Sequence, residues 1–261
     1  MRSSIDTHID LATHPIDEPG FIERCRTELD EHGALVLEGF FRRESIERIV
    51  EQSLRQTDAV FYTASTHNVY LTASDPELSD DHPFNRQIVS SKGLIADDQV
   101  PADSPLREVY DATEFRAFLC GVLGIDQVHP YADPLSSINV HFADDGRELG
   151  WHFDNSSFAV TMLLQRPDGG GRFEYVPAVR DADAGEMGFD RVAAVLDGAA
   201  EVKTLEFEPG ALVLFRGRNA LHRVTPTEGD TTRLLTVFAY NDEPGVRLSD
   251  SALMTFFGRT A

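Results

Sequence analysis

Two histidines and one aspartate have the types and the spacing to hold a metal ion. His152 and Asp154 form a His-x-Asp pair, and His222 follows seventy residues after His152. Alternate side chains of an extended strand point to the same face, so the pair can reach one ion while Phe153 faces away. Two imidazoles and one carboxylate suit a redox-active ferrous ion, because they leave three coordination positions open for a chelating co-substrate and O2.

The prediction of a metal site depends on the order of four residues along the chain, because a His-x-Asp pair alone is common by chance. Arg233 lies eleven residues beyond His222, and a guanidinium can bind a carboxylate through two parallel hydrogen bonds. Taken alone, Arg233 would more often form a surface ion pair, and the His-x-Asp pair would more often be solvated. Together the four residues indicate a metal centre beside an anion site.

The surrounding elements must bring His222 back to the His-x-Asp pair across a long stretch of chain. The N-terminal part, 1–126, combines helical spacing of apolar residues with one buried strand and a long polar stretch. It is expected to contain a ragged leader at 1–17, helices at about 18–32, 43–55 and 104–123, a strand from 33 to about 40, and irregular loops over 58–103.

From about 127 to 245 the pattern changes to short strands separated by turns, and a tail at 246–261 follows. No Pro/Gly/Ser-rich linker divides the chain. We therefore expect one domain over 1–261, mainly β with flanking α, in which the N-terminal helices pack on one side of a β-sandwich or barrel. The expected strands lie at roughly 136–142, 151–153, 157–165, 172–177, 203–207, 211–216, 221–225 and 232–241, with a short helix near 189–197.

The formal net charge of −21 argues against nucleic acid and anionic membrane surfaces as partners. The basic residues are nearly all arginine, with lysine only at 92 and 203. No apolar run approaches the length of a membrane span, and the N-terminal region lacks the apolar stretch of a signal peptide. Cys25 and Cys120 lie far apart in expected helices, so two reduced thiols are favoured over a disulfide. These features predict a cytoplasmic protein.

The order of motifs over residues 130–243 resembles that of the Fe(II)/2-oxoglutarate-dependent dioxygenases. The resemblance implies a double-stranded β-helix, a jelly roll or cupin-like barrel. It also implies Fe(II) held by His152, Asp154 and His222, with 2-oxoglutarate and O2 as co-substrates and Arg233 paired with the distal carboxylate of 2-oxoglutarate. The segments that carry it, besides the His-x-Asp pair, are Asn139-Val140-His141-Phe142, Gly169-Gly170-Gly171-Arg172-Phe173, Pro209-Gly210-Ala211-Leu212-Val213-Leu214-Phe215 and Leu221-His222-Arg223-Val224.

Two features of the implied co-substrate site stay open. His141 would point into the barrel and contact co-substrate or substrate, or it is a hydrogen-bonded core histidine. Some relatives carry a serine two residues after the arginine, where this chain has Leu235, so Thr225 and Thr236 become the candidate hydroxyls. The other histidines have no spacing that demands a metal, and most are expected at the surface.

Three further segments resemble the branch that contains free-amino-acid halogenases and their hydroxylase relatives: 151–155, 216–222 and 254–259. In those halogenases a Gly or Ala replaces the carboxylate ligand and leaves room for chloride on the iron. Asp154 therefore favours hydroxylation of an unactivated C–H bond, with release of succinate and CO2. The resemblance implies a small substrate, a free amino acid or a derivative.

Such a substrate needs polar partners, and the sequence offers candidates for them. Arg86 is the candidate for the substrate carboxylate, although an ordinary surface arginine fits the sequence as well. Asp133 is the candidate for the substrate ammonium, and Asn155 and Asn241 for further polar contacts. Phe256-Phe257 in the tail would close a pocket or, more simply, pack in the core.

Other outcomes remain open at this point. The same cofactor chemistry can give desaturation, epoxidation, cyclisation or halogenation. A cupin-type enzyme without a co-substrate is disfavoured, because the chain lacks the tight His-x-His plus Glu arrangement expected there. A barrel that binds a metal or metabolite without catalysis is a third class. The oligomeric state is open, with a homodimer among the candidates.

Overall fold

The computed structural model describes residues 4–260, and its centre is a curled antiparallel sheet. All strand pairings in the described residues are antiparallel. The strands are β1 (Ala34–Leu37), β2 (Phe61–His67), β3 (Ile88–Ile95), β4 (Ile138–Ala143), β5 (Leu149–His152), β6 (Ala159–Gln165), β7 (Gly169–Gly170), β8 (Phe173–Val176), β9 (Lys203–Leu205), β10 (Leu212–Phe215), β11 (Leu221–Val224), β12 (Thr227–Glu228) and β13 (Arg233–Phe238).

The large sheet curls so that its two halves face each other. Within the described residues its order is β1-β10-β6-β13-β4-β3-β5-β11-β8-β9, and β2 pairs with β3 from outside this path. One half contains β10, β6, β13 and β4, and the other contains β5, β11, β8 and β9. Strand β3 joins the halves, since it pairs with both β4 and β5. The expected strand-rich barrel is confirmed.

Six α-helices flank the sheet in the described residues. They are α1 (Pro19–His32), α2 (Arg43–Leu54), α3 (Pro105–Asp111), α4 (Thr113–Leu123), α5 (Phe189–Leu196) and α6 (Asp250–Phe257). The main core joins α1, α2, α3 and α4 to Ile138, Val140 and Phe142 of β4 and to Leu234 and Phe238 of β13. Because strand side chains alternate, the intervening residues of β4 and β13 face the inside of the barrel.

Helix α1 illustrates how local sequence sets these elements. Pro19 stands in its first turn, where a missing N–H costs nothing, and Phe21, Cys25 and Leu29 repeat at one-turn spacing on its buried face. Gly33 ends the helix in the left-handed region, with φ of 71°. Strand β1 begins directly afterwards.

Three expectations for the N-terminal part were wrong. Residues 58–103 contain two long paired strands, β2 and β3, instead of irregular loops. The helix expected over 104–123 is two helices, α3 and α4, because Ala112 between them is extended, with ψ of 128°. The leader packs on the core through Ile5, Ile9 and Ile16, and its residues 1–3 lie outside the described part.

Three smaller features complete the fold. Cys25 and Cys120 are free thiols, as expected. Among residues 4–260, none of the helices combines the length and the apolar character needed to cross a membrane. The tail at 246–261 contains α6, which packs against β2 and β3.

Candidate active site

The barrel brings the His-x-Asp pair and the distant histidine together. His152 ends β5, and His222 lies directly opposite it in β11. Oδ1 of Asp154 is 3.7 Å from Nε2 of His152 and 3.5 Å from Nε2 of His222. One ligand atom from each residue lies within 4.8 Å of the others, so the three can share a single ion.

Backbone carbonyl groups orient both imidazoles. Nδ1 of His152 is 2.8 Å from the carbonyl oxygen of Gly150, and Nδ1 of His222 is 3.0 Å from that of Ala220. A neutral imidazole that donates from Nδ1 keeps its lone pair on Nε2, the atom that faces the other ligands. Burial, with His222 next to it, lowers the pKa of His152 to about 3. Both rings are therefore oriented as metal ligands.

The carboxylate of Asp154 is left with an unused oxygen. Burial by itself would raise the pKa of Asp154, but the nearby histidines and Lys92 outweigh it and lower the pKa. Its Oδ2 is buried and has no hydrogen-bond partner among the described residues. A buried carboxylate oxygen without a partner is costly unless it has a cation to bind. The three side chains thus fit a ferrous ion.

Gly217 makes the close packing around Asp154 feasible. Its carbonyl oxygen accepts a hydrogen bond of 3.1 Å from the backbone N–H of Asp154. A Cβ at position 217 would overlap Oδ2 of Asp154 and lie 2.8 Å from Cε1 of His222. Arg180 supports the same loops, since it donates to the carbonyl oxygens of Arg218 at 2.7 Å and Asp154 at 3.4 Å.

Arg233 is a buried cation without a carboxylate partner in the described chain. Its residue is 6% exposed, and burial alone lowers its pKa to about 10. Gly171 packs against its stem, where a Cβ would lie 2.9 Å from Cδ of Arg233. The Gly169–Gly171 turn and Arg233 line a cavity of about 220 Å³. A guanidinium in this setting can bind the end of a dicarboxylate.

The structure places the two candidate hydroxyls differently. Thr236 lies opposite Val140 and Met162, both members of the core beneath the helices, so it faces away from the barrel interior. Oγ1 of Thr225 accepts a hydrogen bond of 3.0 Å from the N–H of Arg172. The suggestion of Thr236 is therefore wrong, whereas that of Thr225, whose hydroxyl can still donate, stays a prediction. Leu235 supplies no hydroxyl beside Arg233.

His141 does face the interior. It lies opposite Leu235 of β13 and Leu94 of β3, and it alternates with core residues of β4. Burial, together with the charges of Lys92 and Arg233, lowers the pKa of His141 well below its usual value. The structure therefore places a neutral imidazole between two cations.

Comparison with known families and structures identifies this architecture. The family model described as Halogenase D matches residues 22–252. The chain belongs to this family. No curated protein matches the chain. The matched span contains His152, Asp154, His222 and Arg233.

Solved structures show the same fold at low sequence identity. An oxidoreductase of the 2OG-Fe(II) oxygenase family from Burkholderia pseudomallei is 14% identical, with a TM-score of 0.56 over 87% of this chain and 93% of that chain. The non-heme alpha-ketoglutarate-dependent epimerase SnoN from nogalamycin biosynthesis is 15% identical, with a TM-score of 0.59 over 85% and 84%. A prolyl hydroxylase from Trichoplax adhaerens is 14% identical, with a TM-score of 0.55 over 86% and 90%.

Family and fold together confirm the recognition made from the sequence. The chain is an enzyme of the Fe(II)/2-oxoglutarate-dependent oxygenases with a jelly-roll core, and it is similar to the halogenase branch. The side-chain cluster fits an iron ion, and SnoN, a protein of similar fold, has been solved in complex with Fe3+ and alpha ketoglutarate.

The residues suggested for substrate binding are less well placed. Nη1 of Arg86 is 2.6 Å from a carboxylate oxygen of Asp197. The carboxylate of Asp133 accepts hydrogen bonds from the N–H groups of Leu135 and Leu248 and from the hydroxyl of Ser136. Both side chains therefore already have structural partners, and neither joins the metal ligands.

The two asparagines are also separate from the metal ligands in their contacts. Asn241 pairs with His129 through an isolated β-bridge. Asn155 follows Asp154 and is exposed, and its carbonyl oxygen accepts a hydrogen bond of 3.2 Å from Arg218. Substrate contacts by Asn155 and Asn241 stay predictions.

Sequence reasoning missed two residues close to the ligands, Lys92 and His67. Nε2 of His67 is 2.7 Å from Oγ of Ser90, and the ring centroid of His67 lies 6.5 Å from that of His152. The same Oγ of Ser90 accepts a hydrogen bond of 3.0 Å from the N–H of Gly150. Lys92 lies on β3 with its ammonium group near Asp154, and burial lowers its pKa to about 8. Its rarity, as one of two lysines in the chain, was the available signal.

The expectation that most other histidines lie at the surface also needs correction. His8 and His14 are buried in the packed leader. Nδ1 of His8 is 2.9 Å from Oγ of Ser45, and Nε2 of His14 is 3.0 Å from the carbonyl oxygen of Glu38. Both have structural partners remote in sequence, and neither belongs to the metal cluster.

Proposed function

We propose that the protein hydroxylates an unactivated C–H bond of a small substrate, a free amino acid or a derivative, and converts 2-oxoglutarate to succinate and CO2. The observation that carries the proposal is the intact carboxylate of Asp154 between two oriented imidazoles. A ferrous ion held there supplies O2 activation at its open coordination positions.

The chain's own residues bind and orient the reactants. Arg233 supports the proposal as the partner of the distal carboxylate of 2-oxoglutarate, because its guanidinium is buried and unpaired. His141 lies inside the same barrel and is neutral, so it can hydrogen-bond the co-substrate without adding charge. The flanking Leu94 and Leu235 are buried and keep this region apolar.

Replacement of Asp154 by alanine tests the triad. We expect Asp154→Ala to abolish hydroxylation, because the ion loses its only anionic protein ligand. The measurement combines succinate release from 2-oxoglutarate with mass analysis of products after incubation of Fe(II)-loaded protein with a panel of L-amino acids. Exposed Asp81→Ala serves as the matched control and should behave like the wild type. Full hydroxylase activity in Asp154→Ala would refute the assigned ligands.

Halogenation is the second candidate, and the family membership favours it. Asp154 argues against it, because the carboxylate occupies the position that a halide would need on the metal. The panel is therefore run in chloride-containing buffer. A product that gains oxygen supports the proposal, a chlorinated product contradicts it, and a loss of two hydrogens indicates desaturation or cyclisation. Binding of 2-oxoglutarate with no succinate from any substrate would favour a non-catalytic barrel.

We also propose a cytoplasmic location and leave a homodimer as a prediction. Two free thiols support a reducing compartment. Equilibrium sedimentation of the metal-loaded protein measures the association state directly.

A further inference from the structure

A second cation inside the barrel, the half-buried Lys92, has no counter-ion among the described residues. Lys92 extends from β3, and no acidic side chain in the described residues lies within ion-pair distance of its ammonium group. Asp154 is close enough to influence it electrostatically but does not form an ion pair with it. A buried ammonium without an anion is costly, so the site is built to receive a negative charge.

Lys92 and Arg233 are positioned to bind different anions. On β4, His141 and Phe142 pair with Leu94 and Gly93 of β3, so Lys92 lies beside the end of β4. Arg233 pairs with Ala143 on the other side of β4. The backbones of Lys92 and Arg233 are therefore two strand spacings apart, which is roughly 10 Å. Lys92 is influenced by Asp154, whereas Arg233 has no charged neighbour that affects its pKa.

The charges in the loaded site leave the ammonium group unbalanced. The double charge of 2-oxoglutarate offsets that of the ferrous ion, and Arg233 offsets Asp154. His141 is neutral because burial and the two cations lower its pKa. A carboxylate group beside Lys92 would balance the charge of the ammonium locally, and a substrate carboxylate is such a group.

The C-terminal helix covers this position. The ring centroid of Phe256, on α6, lies 5.6 Å from Nζ of Lys92. Phe256 is 40% exposed, whereas its neighbour Phe257 is buried among Ala96, Leu135 and Leu253. The anchored helix thus holds an aromatic ring over the ammonium group, where it can shield an ion pair from water.

We propose that Lys92 binds the carboxylate of the substrate beneath Phe256. The inference rests on the proposed function and narrows its substrate to a carboxylate-bearing molecule. Lys92 takes the role that the sequence suggested for Arg86, whose guanidinium is already paired with Asp197. Lys92 lies two residues from Ser90, whose hydroxyl accepts from the N–H of Gly150 on the strand that ends at His152. A carboxylate bound to Lys92 would therefore lie on the side of the barrel that carries the metal ligands.

The two lysines of the chain allow a direct binding test. Protein labelled with [13Cε]lysine gives two lysine signals, from Lys92 and from exposed Lys203, which Lys203→Arg assigns. The zinc-substituted protein with 2-oxoglutarate is titrated with the common L-amino acids, each compared with its carboxamide. We expect at least one acid to move the Lys92 signal, its amide to have little effect, and Lys203 to stay unchanged.

Three outcomes would overturn the proposal. In the first, none of the amino acids shifts the Lys92 signal. In the second, an amino acid and its carboxamide shift the signal equally. In the third, 2-oxoglutarate alone shifts the signal as far as any amino acid does. The last would assign Lys92 to the co-substrate. Each of these is readable whether or not the enzyme turns over, so the result is separate from the hydroxylase assignment.

Variants supply the second measurement. Lys92→Met should weaken binding of the responding acid roughly 10- to 100-fold, because a charge-assisted hydrogen bond is lost, and Lys92→Arg should restore part of it. The affinity of Lys92→Met for 2-oxoglutarate should fall much less than its affinity for the acid, and every property of Lys203→Met should stay close to wild type. Equal loss of 2-oxoglutarate and acid binding in Lys92→Met would contradict a substrate-specific role. If even the wild type releases no succinate, the proposed function fails, while the NMR titration still decides the role of Lys92.

Discussion

Gly217, which has no side chain, allows the loop after β10 to approach the metal ligands closely. Gly217 lies against both Asp154 and His222, and its carbonyl oxygen also holds the backbone of Asp154. A Cβ there would have to displace the carboxylate of Asp154, while the ring of His222 on its other side is held by the carbonyl oxygen of Ala220. The geometry of the triad therefore depends on a residue that binds no metal itself.

Gly217→Ala should weaken Fe(II) binding by roughly 10- to 100-fold, the range typical of residues that orient metal ligands. The expected cause is displacement of Asp154, so the affinity for the metal should fall while the fold is retained. Isothermal titration with Fe(II) under anaerobic conditions measures it, and circular dichroism checks the fold. Gly20→Ala is the matched control, because its new Cβ would meet only Arg24 at 3.8 Å. Equal affinities for the two variants would show that the loop can shift freely.

The clustering of His152, Asp154 and His222 was predictable from sequence, because a metal site requires fixed residue types at fixed strand positions. The roles of these ligands and of Arg233 stay predictions. Lys92 was not predictable, since its role depends on β3 lying between β4 and β5, which no local pattern indicates. Arg86 and Asp133 show the reverse. Their residue types suited a substrate, but local partners in the folded chain already satisfy them.

At the level of elements, the β2–β3 pair was missed for a physical reason. Strand β2 has no buried residue, and several of its side chains are exposed, so it lacks the alternation that reveals a half-buried strand. Pairing with β3, through seven consecutive residue pairs, holds β2 in its extended conformation instead. Helix α6 was missed similarly, because eight residues with only Leu253 and Phe257 buried give a weak helical period.

Helix α6 should depend on a single buried anchor. Leu253 is 0% exposed and packs with Ala96, Leu135 and Phe257, whereas Met254 on the same helix is 51% exposed. Leu253→Ala removes buried methyl groups, a change that costs about 2–5 kcal/mol in packed cores. We expect the helix to detach locally, with faster proteolytic cleavage near residue 250 and weaker substrate binding because Phe256 no longer covers Lys92. The measurements are limited proteolysis followed by mass spectrometry and the substrate KM.

Met254→Ala is the control for this experiment, and it should leave cleavage and KM close to wild type. If Leu253→Ala exposes the tail but leaves KM unchanged, the helix is not part of the substrate site. If neither variant alters cleavage, contacts such as the Arg259–Asp98 ion pair hold the tail independently of Leu253.

On the scale of the whole molecule, two effects of acidification oppose each other. The net charge of −21 falls in magnitude as the pH approaches the pI of about 4.7, which reduces repulsion within the folded chain. Buried neutral histidines act in the other direction. Burial lowers the pKa of His14, and burial with two neighbouring cations lowers the pKa of His141 well below 6.5.

The direction in which these two histidines change the free energy of unfolding with pH follows from their proton uptake. Below about pH 6.5 the unfolded chain binds protons at both residues while the folded chain does not, so acidification favours unfolding. Their contribution to stability is present above pH 6.5 and is lost as the pH falls. Each lowered histidine changes the free energy of unfolding by at most about 1.4 kcal/mol per pH unit.

We therefore expect the metal-free protein to show a shallower loss of stability with acid once His141 is replaced by glutamine. Urea unfolding in the presence of a chelator, measured between pH 7 and pH 5, gives the slope of free energy against pH for wild type and His141→Gln. His14→Gln, remote in sequence from the metal ligands, should also reduce the slope. This control distinguishes the effect of burying a histidine from an effect specific to the metal site. Identical slopes in all three proteins would mean that both histidines take up protons in the folded state. The interior of the barrel would then be more positive than its packing indicates, and the charge balance that leaves only Lys92 for an incoming carboxylate would have to be revised.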